Sequence, residues 1–351
     1  MAEKKEQTEK ISKQVEKKVK TKEKEPVIEP NFSSVVSSGS TLLDLAISGG
    51  VVRGGGIPGG ILMEIFGPPA IGKTALLCEI GGSLERQGGQ HNFFDPEARL
   101  STTFANIFDL QLKEDEIQHP DTPLDIFPKI REWEPDKTNV INGCFIDSTA
   151  ALASDLEMED KKDEYSRRAK LFSQEFRKTC RVLNKKNLLI AFSNQVREKM
   201  DAGAFAEKTD TPGGQAIKFY SSLRLQAKKM ASGHKIKNSI TYQGKKIEKT
   251  VGVGIDINVY KSSIWEPFHS APVYILFDYG IDDIRANLEF VKKHTNNSIY
   301  YVYETKLSNS LEDAILKVEE KDLEEELKTQ VIDIWEEIEN KFKKDRKSKK
   351  R

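Results

Sequence analysis

Cysteine is scarce in this chain: Cys78, Cys144 and Cys180 are scattered through 351 residues and form no C-x-x-C pair. That pattern excludes a disulfide framework and a thiolate zinc site, and it fits buried thiols in a reducing compartment. The five histidines, at 91, 119, 234, 269 and 294, are equally isolated. No apolar run approaches the roughly 18 residues that mark a membrane-spanning helix, and the N-terminus has no apolar h-region, so neither a membrane partner nor a secretory route is expected. Net charge is also missing, since 55 basic residues balance 55 acidic ones. Overall charge therefore singles out no partner, but its distribution is uneven. Residues 1–24 carry nine Lys against five Glu, residues 311–339 twelve acids against three bases, and residues 340–351 eight bases against one acid.

What the chain does have is a phosphate loop. An apolar run, Ile61 to Phe66, reads as a buried strand and leads into Gly67-Pro68-Pro69-Ala70-Ile71-Gly72-Lys73-Thr74, a GxxxxGK[ST] motif. Ala75 and a helix with Leu76, Leu77, Ile80 and Leu84 at helical spacing follow. The glycines let the backbone wrap a polyphosphate, and N–H groups at the helix start supply donors and a positive dipole end. In this motif Lys73 reaches the β- and γ-phosphates and the Thr74 hydroxyl ligates Mg²⁺. A nucleoside triphosphate with Mg²⁺ is the expected ligand.

The other segments arrange themselves around this loop. Residues 1–24 are nearly all Lys, Glu and Gln, with one thin helical stripe of Ile11, Val15 and Val19; Pro26 and Pro30 follow as a linker. A short helix carrying Leu42, Leu43, Leu45 and Ile47 is stopped by Gly49-Gly50. A second strand, 91–95, ends in Pro96-Glu97, a carboxylate just past a strand end, where open parallel sheets bind ligands. The third strand, Val140 to Asp147, ends in an acid suited to hold Mg²⁺ through water. Residues 155–165 read as a polar loop, and the following helix buries Ala169, Phe172, Phe176 and Leu183. The fourth strand, 187–194, ends at Gln195 and is followed by a polar segment, Val196 to Pro212, of the length that is functional or disordered in compact domains. Three more strands are expected at 220–227, 251–260 and 273–278, the first two joined by a Lys-rich hairpin with Gln243-Gly244. Strands alternating with helices indicate a parallel α/β sheet, continued by antiparallel strands. Past residue 283 the composition shifts, with a short strand at 299–303 and a helix over 322–342.

Several co-linear strings, ILMEIFGPPAIGKT, FFDPEARL, FIDSTAAL, FSQEFRK, LLIAFSNQVREKM, TPGGQAIKFYSSLRL and APVYILFDYGI, resemble bacterial RecA recombinases over roughly residues 38 to 340. The resemblance implies an α/β fold with a RecA-type P-loop ATPase core and a mostly parallel central sheet. It divides the chain into a charged N-terminal helix or arm for oligomerisation (1–31), the ATPase core with its DNA-binding loops (32–282), a small C-terminal α/β domain (283–340) and a basic tail (341–351). The implied function is a cytoplasmic DNA-dependent ATPase, in the host cytoplasm if the chain is viral. It would form a helical filament on single-stranded DNA with ATP between protomers and exchange that strand with a homologous duplex. Implied partners are single-stranded DNA, duplex DNA, further copies of the chain, and single-strand-binding and loader proteins. Two alternatives stand beside it: a single-strand-binding accessory protein in which ATP is only an assembly switch, and a ring helicase.

By the same resemblance Lys73 and Thr74 bind phosphate and Mg²⁺, Asp147 is the Walker B acid, and Glu97 activates the attacking water. Phe104 stacks on adenine, Gln195 senses the γ-phosphate, and Lys261 reaches a neighbour's ATP. Ser173, Arg177, Arg197, Lys199, Gly213, Gly214 and Gln215 form the primary DNA-binding set. The chain departs from the family at Ser101, where an acid usually contacts the base, and at the acidic MEDKKDE in the first DNA loop. It departs again at Asp256 and Asn258, where two bases receive incoming duplex, and at Ser263, where a second lysine sits. The acidic tail of the family is replaced by KFKKDRKSKKR, an electrostatic footprint expected to hold DNA.

Overall fold

The computed structural model describes residues 32–152, 164–198, 209–210 and 214–342, apart from the side chains of 164–168, 197–198, 209–210 and 214–215. The chain divides into two units, Met1–Pro30 and Asn31–Arg351. The expected N-terminal arm, most of the polar loop at 155–165, Lys199, Gly213 and the tail from 343 onward lie outside the described residues.

Strand alternation builds the core. β1 (Ile61–Gly67) is buried along its whole length. Ile61, Met63 and Ile65 join one apolar cluster while Leu62 joins another, because successive strand residues face opposite sides of a sheet. The remaining strands of this sheet are β2 (His91–Phe94), β3 (Ile117–Gln118), β4 (Asn142–Ile146), β5 (Leu188–Gln195), β6 (Leu223–Lys229), β7 (Lys235–Tyr242), β8 (Lys245–Ser262), β9 (Ser270–Leu276) and β10 (Gly280–Ile281). Their order is β10-β9-β8-β6-β1-β5-β4-β2-β3, with β7 paired to β8 off this path. From β6 to β3 all neighbours are parallel; β8, β9 and β10 continue antiparallel. A mostly parallel sheet with an antiparallel extension is the expected architecture.

Helices cover both faces. α1 (Thr41–Ser48) is capped by the Ser40 side chain and stopped by Gly49 in the left-handed region, φ 58°, where glycine carries no steric cost. α2 (Lys73–Arg86) buries Leu76, Leu77, Ile80 and Leu84 with α1 in the first cluster. After the short α3 (Thr102–Asn106), α4 (Pro123–Glu132) and α5 (Glu164–Lys186) pack Phe127, Phe172 and Phe176 into the second. α6 (Gly214–Tyr220) adds Ile217 there. α7 (Asp283–His294), α8 (Leu311–Glu320) and α9 (Glu324–Phe342) bury Leu288, Val318 and Val331 in the same cluster as Leu43 of α1. The segment after 283 thus shares its core with the sheet.

Two elements differ from the sequence expectation. The 251–260 strand is β8, 18 residues long, and the Lys-rich connection is itself paired: β7 lies antiparallel on the first part of β8 around the Gln243-Gly244 turn. The strand at 299–303 contracts to Tyr301–Val302, pairing only with Thr305–Lys306.

Candidate nucleotide-binding site

The loop between β1 and α2 owes its shape to a few backbone positions. Gly72 has φ 89° and Ala70 φ 55°, and a Cβ on Gly72 would meet Ile275 Cδ1 at 2.5 Å. Lys73 folds back so that its ammonium donates to the carbonyls of Gly67 (3.2 Å) and Pro68 (2.7 Å). Burial holds its pKa below the usual lysine range although Asp147 and Glu97 oppose that shift. A buried cation whose hydrogen-bond partners among the described residues are carbonyls fits a polyphosphate.

Across the pocket, Asp147 directly follows β4. Its carboxylate accepts from Thr74 Oγ1 at 2.7 Å and from Ser193 Oγ at 2.6 Å. Burial pushes this acid above the ordinary aspartate range, while the two hydroxyl donors pull it back. A buried acid held by hydroxyls next to the phosphate-loop threonine suits a divalent cation, which would bind oxygen ligands here. Glu97 follows β2. Its carboxylate accepts from Ser148 Oγ at 2.5 Å and pairs with Arg99 at 2.7 Å. The turn that carries it is tied by Asp95, which accepts from the N–H groups of Glu97, Arg99 and Leu100. Lys73, Thr74, Glu97, Phe104, Asp147 and Gln195 all line this one pocket. Phe104 tilts against Phe108 at 5.2 Å. Ser101 caps α3 by accepting from the Phe104 N–H, so its hydroxyl serves the helix. Ser148, Ser193 and Arg99 are pocket residues that the sequence reading did not single out; each lies beside or within a string that was.

Gln195 ends β5 opposite Gly67 of the phosphate loop. Two residues on, Arg197–Glu198 pairs with Thr209–Asp210 in an antiparallel ladder, and Gly214 and Gln215 open α6. Ser173 and the exposed Arg177 lie four apart on α5, hence on one helix face. Lys261 is not among the residues lining this pocket; its ammonium donates to the carbonyls of Lys218, Phe219 and Ser221 at 2.8, 3.1 and 2.8 Å.

A buried ionic network underlies the sheet. Glu64 of β1, fully buried, accepts from Arg224 Nε of β6 at 2.5 Å and from Asn194 Nδ2 of β5 at 3.0 Å. The Arg224 guanidinium stacks over Phe66 at 4.5 Å. Glu64→Gln is expected to destabilise the fold by about 3 kcal/mol, because it strands a buried guanidinium. Replacing both partners with apolar residues (E64L with R224M) should recover most of that loss. Urea unfolding measures both, and a loss under ~1 kcal/mol for the single variant would mean that water reaches the pair.

A phosphate loop joining a buried strand to a helix, with carboxylates at two neighbouring strand ends, defines a P-loop nucleotide-binding protein. The sequence profile of the RecA N-terminal domain matches residues 5–282. Protein RecA of Thermus thermophilus is 34% identical over 255 residues, 71% of this chain and 69% of its own length. Protein RecA of Borrelia hermsii is 33% identical over 303 residues, 84% and 80% of the two chains. The crystal structure of the RadB recombinase aligns at a TM-score of 0.48 with 17% identity, covering 70% of this chain and 98% of that one. The chain belongs to the RecA family of recombinases.

Proposed function

We propose that this chain is a DNA-dependent ATPase that assembles as a helical filament on single-stranded DNA and exchanges that strand with a homologous duplex. The observation that carries the reading is Gln195. It lines the pocket of Lys73 and Asp147, and the chain passes from it directly into the Arg197 ladder. One strand end therefore joins the nucleotide to the segment expected to hold DNA.

Lys73 and the loop N–H groups bind the triphosphate, and Phe104 covers the base. Thr74 and Asp147 hold Mg²⁺, the latter through water; the ion, when bound, neutralises charge on the phosphate oxygens. Glu97 takes the proton of the attacking water, and Ser148 and Arg99 orient its carboxylate. Ser173, Arg177, Arg197, Lys199, Gly213, Gly214 and Gln215 contact the DNA backbone, where basic side chains and paired-glycine N–H groups bind without regard to sequence. The 1–31 arm and Lys261 serve contacts between protomers.

The test is electron microscopy of the full chain with single-stranded DNA and a non-hydrolysable ATP analogue, alongside a strand-exchange assay. Nucleotide-dependent helical filaments that exchange strands are expected. Closed rings would favour the helicase alternative, and filaments inert in exchange would favour an accessory protein.

A further inference from the structure

The ribbon made by β7 and the start of β8 is the strongest feature that the reading above leaves unused. Residues 228–250 contain seven lysines and one acid, Glu248. The root is built in: Met230, Ile236 and Val253 pack on the core, and His234 and Gly254 exchange hydrogen bonds. Beyond the root no further strand among the described residues pairs with the ribbon. The pairing of β8 with β9 stops at Gly252, and six cross-strand rows, from Lys237↔Thr250 to Tyr242↔Lys245, continue past it, about 20 Å at the strand rise. An isolated two-stranded hairpin of this kind is marginally stable by itself.

Residues directly opposite each other share a face, so the rows sort into two. One face carries Lys237, Thr250, Ser239, Glu248, Thr241 and Lys246. There Glu248 pairs with both lysines, at 3.4 Å each. The other carries Asn238, Lys249, Ile240, Ile247, Tyr242 and Lys245. It has no acid, and no acid among the described residues pairs with Lys245 or Lys249. Its apolar centre is open: Ile240 is 61%, Tyr242 60% and Ile247 47% exposed. An exposed apolar pair bracketed by uncompensated cations marks a binding surface.

We infer that this face of the ribbon is a binding site for duplex DNA, entered without sequence preference. Three observations select that occupant. The charge is complementary to phosphate, and both lysines of this face are without an acidic partner among the described residues, whereas those of the other face share Glu248. Lys245 and Lys249 are four residues apart on one strand, about 13 Å, close to the ~12 Å width of the major groove, which admits a two-stranded ribbon. Ile240 and Ile247 lie between them, placed to meet base edges while the lysines meet phosphates on either side. Finally, β6 runs parallel to β5 through β1, so the ribbon leaves the same sheet edge as Gln195 and the Arg197 ladder. A duplex held on it lies beside the strand those residues are proposed to hold, and the inference rests on that reading. Farther down β8, Asp256 and Asn258 offer no cation.

The experiment uses full-length filaments preassembled on single-stranded DNA with a non-hydrolysable ATP analogue. A fluorescent heterologous 30-base-pair duplex is titrated against them at several salt concentrations. For K245A/K249A the salt slope should fall by about 1.8, two phosphate contacts at ~0.9 each, and duplex affinity by about 30-fold at 0.15 M salt. Single-strand binding and DNA-stimulated ATPase should stay at parental values, and K237A/K246A, on the opposite face, should keep duplex affinity within about threefold. Unchanged duplex binding in K245A/K249A overturns the inference. So does equal loss from both faces, which would mean diffuse charge, or a defect in filament assembly, which would assign the face to a second copy of the chain. If the parental protein neither binds single strands nor hydrolyses ATP, it is the proposed function that fails.

Discussion

Glu97→Gln is expected to lower DNA-stimulated ATP hydrolysis by about a thousandfold while ATP binding stays within about threefold of parental, within the 10²–10⁴-fold range of a lost general base. The substitution keeps shape and removes only basicity. An amide oxygen can still accept from Ser148 Oγ, which now donates to the carboxylate at 2.5 Å, so the turn tied by Asp95 should hold its geometry. The ion pair with Arg99 is lost, but Arg99 is 78% exposed, and exposed pairs contribute little. The proposed phosphate contacts, Lys73 and the loop N–H groups, are not touched by the change. The variant should therefore remain in the ATP-bound form on DNA, with filaments that persist after free nucleotide is diluted. Steady-state phosphate release with single-stranded DNA, compared with equilibrium binding of a fluorescent ATP analogue, separates the two effects. Turnover within about threefold of parental would remove Glu97 from the proton-transfer role.

The pocket was legible where chemistry and local sequence coincide. GxxxxGK[ST] between a buried strand and a helix is a contiguous signal, and Glu97 and Asp147 each end an apolar strand. Glu64 and Arg224 were not legible, because they are 160 residues apart and nothing local marks a buried acid inside an otherwise apolar strand. Ser193 and Ser148 were missed for a similar reason, since a serine carries no periodic signal and its partner is fixed only by sheet register. The hairpin around Gln243-Gly244 was legible from its turn, but the length of its two strands was not, because both faces of residues 237–249 are exposed and the apolar alternation that reveals a half-buried strand is lost. α4, α7 and α8 had start signals, at Thr122-Pro123 with Asp125, at Asp282 and at Ser310, but short helices in polar surroundings give a weak periodic pattern. Strand segments of two residues, such as β3 and β10, are too short to show any period.

Lys261→Ala is expected to reduce DNA-stimulated hydrolysis by roughly a thousandfold, at the low end of the 10³–10⁵ that a cation supplied in trans provides in phosphoryl transfer. The low end applies because Lys73 and Mg²⁺ still act on the same phosphate. In the chain by itself the Lys261 ammonium sits on three carbonyls at the C-terminal end of α6, a favourable place for a cation. Burial, then the neighbouring Arg224, holds its pKa below the usual lysine range, with Glu64 opposing. Reaching a neighbour's γ-phosphate means leaving those carbonyls, and α6 begins at Gly214, where the proposed DNA segment ends. Lys261→Ala thus removes a cap as well as a charge. The cap should cost about 1 kcal/mol in urea unfolding of the isolated chain, small enough to separate from the loss of turnover. In the proposed trans role Lys261 stands alone, because Ser263 occupies the position of the family's second lysine. Ser263→Lys should therefore raise turnover, by about tenfold if it restores part of the trans charge. Steady-state hydrolysis with single-stranded DNA, read together with filament length by electron microscopy, measures both variants. If Lys261→Ala hydrolyses ATP at the parental rate in filaments of parental length, the trans role fails and Lys261 is a helix cap only.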